Sequence, residues 1–113
     1  MSLMIEYENE KDGVYHPLSF EEVFAKHWKP IVQSLDLPFL NNSGFLGGLL
    51  VISKYDDAEL FALEFLKVKE YLVSTFNIDD AIKEYMIERI DQVVTIINKA
   101  LKEWDKVKEI SIC

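Results

Sequence analysis

The apolar positions in the last third of the chain follow the spacing of a packed helix. From Met86 to Val107, apolar residues are separated alternately by four and three positions. Such steps keep side chains on one face of a helix that packs on other helices. Acidic residues precede this stretch and lysines follow it, which matches the direction of the helix dipole. The pattern predicts a long helix over residues 79–107.

The stretch before it predicts a second helix, over residues 57–76. Phe61, Phe65, Val68 and Leu72 form its main apolar face, and further leucines make it apolar most of the way round. Because the two helices are separated by only two residues, they are expected to form an antiparallel hairpin. Apolar surface that the chain does not cover by itself is typical of an interface.

The beginning of the chain has the period-two alternation of strands. Ile5 and Tyr7 alternate with acidic residues, and Asp12-Gly13 is a turn signal, so residues 4–16 are predicted to form a β-hairpin. Residues 109–112 alternate in the same way and are the candidate for a third strand, since an isolated hairpin is marginal in water. We interpret residues 1–3, ahead of Met4, as a cloning leader.

Residues 19–36 predict a helix that is kinked at Pro30, because proline removes a helical hydrogen bond and crowds the preceding turn. Its predicted apolar face consists of Phe20, Phe24, Trp28, Ile31 and Leu35. Residues 39–55 contain a loop followed by a short buried element, and periodicity leaves open whether that element is a strand or a helix. The predicted fold is therefore mainly α: a single domain built as a small helical bundle on the long helical hairpin, with a minor N-terminal β-hairpin.

The composition excludes several classes of function. The chain has 113 residues and a net charge of −8, which is unfavourable for binding nucleic acid or an anionic membrane surface. The longest apolar run, residues 45–52, is too short for a membrane-spanning helix. Cys113 is the single cysteine, so no internal disulfide can form, and a cytoplasmic location is expected.

The sequence predicts no catalytic, cofactor-binding or metal-binding residue. It has no phosphate-binding glycine loop, no Cys-x-x-Cys pair, no Glu-x-x-His pair and no Gly-x-Ser-x-Gly turn. His16 and His27, with Glu21 or Glu22, come nearest to a metal or acid–base cluster. Ordinary, partly exposed histidines explain the two positions better.

Two hypotheses of function follow. The first is a non-catalytic protein–protein interaction module, either a homodimer or a neutraliser of a basic protein in the manner of an immunity protein or antitoxin. Its acidic interaction surface would be Glu6, Glu8, Glu10 and Asp12. The alternative is a small-molecule-binding protein or modest enzyme, with a pocket between helix 19–36 and the helical hairpin. That pocket would be lined by His27, Trp28 and Tyr71.

Overall fold

The structure, a computed structural model, describes residues 1–8, 13–41, 43–47 and 49–113. It confirms a mainly helical fold, in which two long helices pack on each other beside a small antiparallel sheet. In chain order the elements are β1 (Ser2–Tyr7), β2 (Val14–Pro17), α1 (Glu21–Val23), a π-helix (Phe24–Trp28), α2 (Lys29–Ser34), α3 (Ser43–Leu46), β3 (Leu50–Ile52), α4 (Tyr55–Ser74), α5 (Asp80–Lys102), a 3-10 turn (Trp104–Lys106) and β4 (Val107–Ile112).

The hairpin of α4 and α5 is the framework of the fold. The main apolar face that the sequence assigned to each helix is buried: Phe61, Phe65, Val68 and Leu72 in α4, and Met86, Ile90, Val93, Ile97 and Ala100 in α5. Asp79 caps α5, because its carboxylate accepts the N–H of Ala81 at 3.0 Å. An ion pair of 2.7 Å between Lys69 of α4 and Asp91 of α5 links the two helices near the protein surface.

The last helix ends earlier than predicted. The sequence places its end at residue 107, but α5 ends at Lys102, and Trp104–Lys106 form a single 3-10 turn. Val107 begins β4 and is paired with Tyr7 of β1. The spacing from Trp104 to Val107 fits a 3-10 turn as well as an α-helix, and β-branched Val107 favours a strand. In the other helix of the hairpin the predicted bounds 57–76 are shifted, since α4 runs from Tyr55 to Ser74.

The predicted hairpin belongs to a four-stranded sheet of order β2-β1-β4-β3, in which every neighbouring pair is antiparallel. The strand predicted near the C-terminus is present as β4, beside β1. Leu3 pairs with Ile112 and Ile5 with Ile110, and all four side chains are buried. Because β1 begins at Ser2, two of the residues interpreted as a leader take part in the sheet.

The first helix accommodates Pro30 through a π-helical segment. Phe24–Trp28 lie between α1 and α2, and the N–H of Lys29 donates to the carbonyl of Phe24, five residues back. A wider turn relieves the crowding that the proline ring imposes on the preceding carbonyls. The kink that the sequence predicts near Pro30 is therefore a π-helical turn ahead of the proline.

The ambiguous stretch 39–55 contains both kinds of element. Ser43–Leu46 form the short helix α3, and Leu50–Ile52 form the edge strand β3 against β4. Phe45 anchors the helix, because its side chain is wholly buried. Its ring makes edge contacts with the rings of Phe24, Trp28 and Phe65.

We expect Gly13→Ala to destabilise the sheet. A Cβ at this position would lie 2.7 Å from the carbonyl oxygen of Ile5, and backbone cannot give way cheaply. The expected loss is about 1–3 kcal/mol of unfolding free energy, as for other overpacked sites, measured by urea denaturation. Asn98→Ala, on the exposed side of α5, serves as the control and should change stability by less than about 0.5 kcal/mol. Equal stability of Gly13→Ala and the wild type would contradict the close approach of Gly13 to Ile5 of β1.

Candidate functional site

The three residues of the predicted pocket have different environments. Trp28 is wholly buried, and its ring packs edge-on against Phe45 at 6.5 Å and Phe65 at 6.0 Å between centroids. His27 on the π-helix and Tyr71 on α4 are half-buried. Trp28 is thus part of the core packing, and a pocket formed by these three residues stays a prediction.

A cavity does exist on another side of the first helix. It has a volume of about 470 Å³ and is lined by Glu21, Phe24, Lys29, Leu46 and Cys113 among others. Its lining comes from α1, the π-helix, α3 and the end of β4. None of the three predicted pocket residues lines this cavity.

The predicted acidic surface lies partly beside lysines. The carboxylate of Glu6 on β1 is 3.9 Å from the ammonium group of Lys108 on β4. The backbone N–H of Glu8 donates to the carbonyl of Lys106. Lys108 thus reduces the negative potential at Glu6. The other predicted members, Glu10 and Asp12, lie outside the described residues.

A second row of carboxylates follows the exposed side of α5. Asp80, Glu84, Glu88 and Asp91 are separated by four, four and three residues, and all are exposed. This spacing places them on one side of the helix, opposite the buried seam. Asp91 is bound by Lys69. The first two turns of α5 therefore present acidic groups to solvent.

An aromatic stack of exposed Phe20 on half-buried Tyr85 borders this row. The rings of Phe20 and Tyr85 are parallel within 4° and their centroids are 5.8 Å apart. The guanidinium carbon of Arg89 lies 5.3 Å from the centroid of the Tyr85 ring, a cation–π distance. Phe20 is 69% exposed, although large aromatic side chains are usually buried.

The exposure of Phe20 corrects the prediction that it belongs to the apolar face of the first helix. Helix α1 begins at Glu21, and Phe20 is its N-cap with an extended backbone, φ −67° and ψ 149°. A residue in this conformation does not follow the helical spacing, so its side chain leaves the buried face. Periodicity alone assigned Phe20 to the core. Because the helix begins only at Glu21, Phe20 lies before it and does not belong to its buried face.

We define the aromatic–acidic surface as Phe20, Tyr85, Arg89, Glu84 and Glu88. The four residues from α5 occupy two neighbouring rows of the helix, with the acidic pair and the Tyr–Arg pair each four residues apart. Phe20 is contributed by the segment before α1. The surface therefore depends on the docking of the first helix against α5.

A shallow cavity continues this surface along α5. It has a volume of about 340 Å³ and is lined by His16, Asp91, Gln92, Thr95 and Ile96. The Nε2 atom of His16 is buried there, with no hydrogen-bond partner among the described residues. Over the described ranges, no group of three or more His, Cys, Asp or Glu residues is arranged to hold a metal ion.

Glu64 is a buried carboxylate that the sequence analysis did not single out. Its side chain is wholly buried in α4, and its Oε1 accepts the backbone N–H groups of Phe39 and Leu40, each at 2.9 Å. Burial raises the pKa of Glu64, while the hydrogen bonds from Leu40 and Phe39 and the charge of Lys67 act in the opposite direction. The role is structural, because Glu64 satisfies the amides of the turn that follows Pro38.

Comparisons with family models, curated proteins and solved structures find no match to this chain. None of the described helices is both long enough and apolar enough to cross a membrane. The cytoplasmic location stays a prediction from the sequence.

The raised pKa of Glu64 predicts a pH dependence of stability. The folded chain binds the Glu64 proton more tightly than the unfolded chain, whose glutamates titrate near about 4.3. The added stability is present below that pH and is lost as pH rises through the folded pKa. We expect the unfolding free energy of the wild type, minus that of Glu64→Gln, to fall as pH rises from acid to neutral. Gln keeps the Oε1 acceptor but does not titrate. A difference that is constant or rises with pH, measured by urea denaturation, would contradict this assignment.

Proposed function

We propose that the chain is a non-catalytic protein-binding module that takes a basic protein on its aromatic–acidic surface. The observation that carries the proposal is the exposed ring of Phe20 stacked on half-buried Tyr85, with Arg89 beside the Tyr85 ring. Aromatic and arginine side chains dominate the residues that contribute most to protein–protein affinity. A neutraliser of a basic protein, as an immunity protein or antitoxin would be, is one form of this function.

The charge of the partner follows from the carboxylates around the stack. Glu84 and Glu88 border it on α5, with Asp80 one turn before them, and the whole chain carries a net charge of −8. A partner rich in Lys or Arg is attracted to such a surface, whereas an acidic partner is repelled. The patch at Glu6 and Glu8 is a weaker candidate because the ammonium group of Lys108 lies 3.9 Å from the Glu6 carboxylate.

The two kinds of residue have different kinetic roles. Carboxylates that stay exposed at the rim steer the encounter, so they mainly determine the association rate and its salt dependence. The Phe20 ring offers apolar area that becomes buried in the complex, so it mainly determines the dissociation rate. This division separates the proposed surface from a general attraction between opposite net charges.

The test is a pull-down from source-cell lysate with three baits at low and high salt. The site variant is Glu84→Lys/Glu88→Lys. The control is Asp36→Lys/Asp105→Lys, which changes net charge equally at exposed positions outside the surface. A basic protein captured by the wild type and the control at low salt, and lost from the site variant, is the expected result. Equal losses from both variants, or no basic protein on the wild type, would refute the proposal.

The captured protein then allows a kinetic measurement. We expect Phe20→Ala to raise the dissociation rate at least about tenfold, a loss above about 1.4 kcal/mol, with little change in the association rate. Tyr15→Ala serves as the matched control, because it also removes an exposed aromatic ring, but from β2. Unchanged dissociation of Phe20→Ala, or an equal effect of Tyr15→Ala, would place the contact elsewhere.

A second candidate function, a small-molecule binder, is favoured by the cavity of about 470 Å³ beside the first helix. This volume lies within the range of about 300–1,000 Å³ that is usual for ligand sites. Lys29 and Glu21 provide one charge of each sign in a lining that includes Phe24 and Leu46. A zwitterionic small molecule of moderate size matches this arrangement.

A thermal-shift screen of free amino acids and short zwitterionic peptides tests the second candidate. Ala25→Trp would fill the cavity, since Ala25 is among its lining residues. Ligands that raise the melting temperature of the wild type should leave that of Ala25→Trp unchanged. If no ligand shifts the wild type, or if both proteins shift equally, the cavity is not a binding site for this class.

A further inference from the structure

The outer face of α4 carries apolar side chains that nothing in the described chain covers. Leu63 is 49% exposed and Val73 is 63% exposed, with Leu60 and Leu66 also exposed. Phe76, two residues past the end of α4, is 94% exposed. Exposed apolar groups of this size, repeated along one helix, are typical of an interface.

These residues form a continuous face because of helical geometry. At about 100° per residue, Leu60, Leu63 and Leu66 lie on the side of α4 opposite Phe61, Phe65 and Val68. That opposite side is wholly buried in the core. The helix is thus apolar on two sides, and within the described part of the chain only one of them has a partner.

Two charged residues lie near the middle of the outer face. Lys67 and Glu70 are exposed, three residues apart, and flank its centre line. In the described part of the chain neither belongs to an ion pair. A partner that carries an acidic group near Lys67 and a basic group near Glu70 is complementary to these charges.

We propose that a second copy of the chain supplies these groups, through antiparallel pairing of the two α4 helices. A two-fold axis that passes between positions 68 and 69 brings Lys67 of one copy opposite Glu70 of the other, and the symmetry makes the contact twice. The same axis brings the Leu60–Leu63 end of one helix opposite the Val73–Phe76 end of the other. Parallel pairing would instead place like charges together.

The expected dimer is weak. The row from Leu60 to Phe76 is roughly 24 Å long, at about 1.5 Å per residue, and one helix pair buries less than a standard interface of about 800 Å² per partner. Two chains of net charge −8 also repel each other. The outer face of α4 does not include the aromatic–acidic surface, so the dimer and the proposed partner occupy different sites. A failure of the dimer would therefore leave the proposed function unaffected, and a failure of the proposed function would leave the dimer unaffected.

Sedimentation equilibrium over a range of protein concentrations tests the dimer by charge exchange. Lys67→Glu and Glu70→Lys should each raise the dissociation constant by about tenfold or more, because each places two like-charged pairs across the axis. The double variant Lys67→Glu/Glu70→Lys restores opposite charges and should recover most of the wild-type affinity. Lys67 and Glu70 are also three residues apart on one helix, so circular dichroism and thermal melting of each variant separate a change in helix stability from a change in dimer affinity.

Apolar variants test the rest of the face. Leu63→Glu should leave only monomer, while Leu49→Glu, at an exposed leucine just before β3, should leave the dimer intact. Circular dichroism and thermal melting of each variant show whether the fold is kept. A wild-type chain that stays monomeric at every concentration, a double variant without recovery, or loss of the dimer in Leu49→Glu would overturn the proposal.

Discussion

The structure depends on a cluster of aromatic rings where three segments of the chain meet. Trp28 comes from the π-helix, Phe45 from α3, and Phe61 and Phe65 from α4, and edge-to-face contacts connect them. All four side chains are wholly buried. Edge-to-face pairs contribute about 0.5–1.5 kcal/mol each beyond the burial of their area. Their common burial holds the first helix and the short α3 segment against the helical hairpin.

The position of the first helix in turn determines which residues reach the surface. Docking of the π-helix through Trp28 brings the start of α1 beside α5, and Phe20 stacks on Tyr85 there. The turn after Pro38 is held in a similar way, because its amides bind the buried carboxylate of Glu64. Core packing and surface chemistry are therefore coupled, since the aromatic–acidic surface exists only while the first helix stays docked.

The sequence predicted the long helices because their apolar spacing is regular over many turns. The burial of Met86, Ile90 and Val93 agrees with that spacing. The position of Phe20 was missed because periodicity does not show where a helix begins. The strand pairing at Val107 was missed because it depends on a contact with a distant segment. Glu64 was missed for the same reason: its partners are 24 and 25 residues away. Local periodicity predicts which face of a helix is buried. It does not predict where the helix ends or which groups distant segments of the chain bring into contact.

The predicted acidic surface was reasonable in its chemistry and less favourable in its position. Glu6 on β1 lies beside Lys108 on β4, whereas the row on the first turns of α5 faces solvent next to the exposed ring of Phe20, which is stacked on Tyr85. Binding at the aromatic–acidic surface is tested most directly by nuclear magnetic resonance mapping of the labelled chain during titration with the captured basic partner. We expect the largest chemical-shift changes at Phe20, Glu84, Tyr85, Glu88 and Arg89. Changes concentrated instead on β1 and β4, around Glu6 and Lys108, would contradict it.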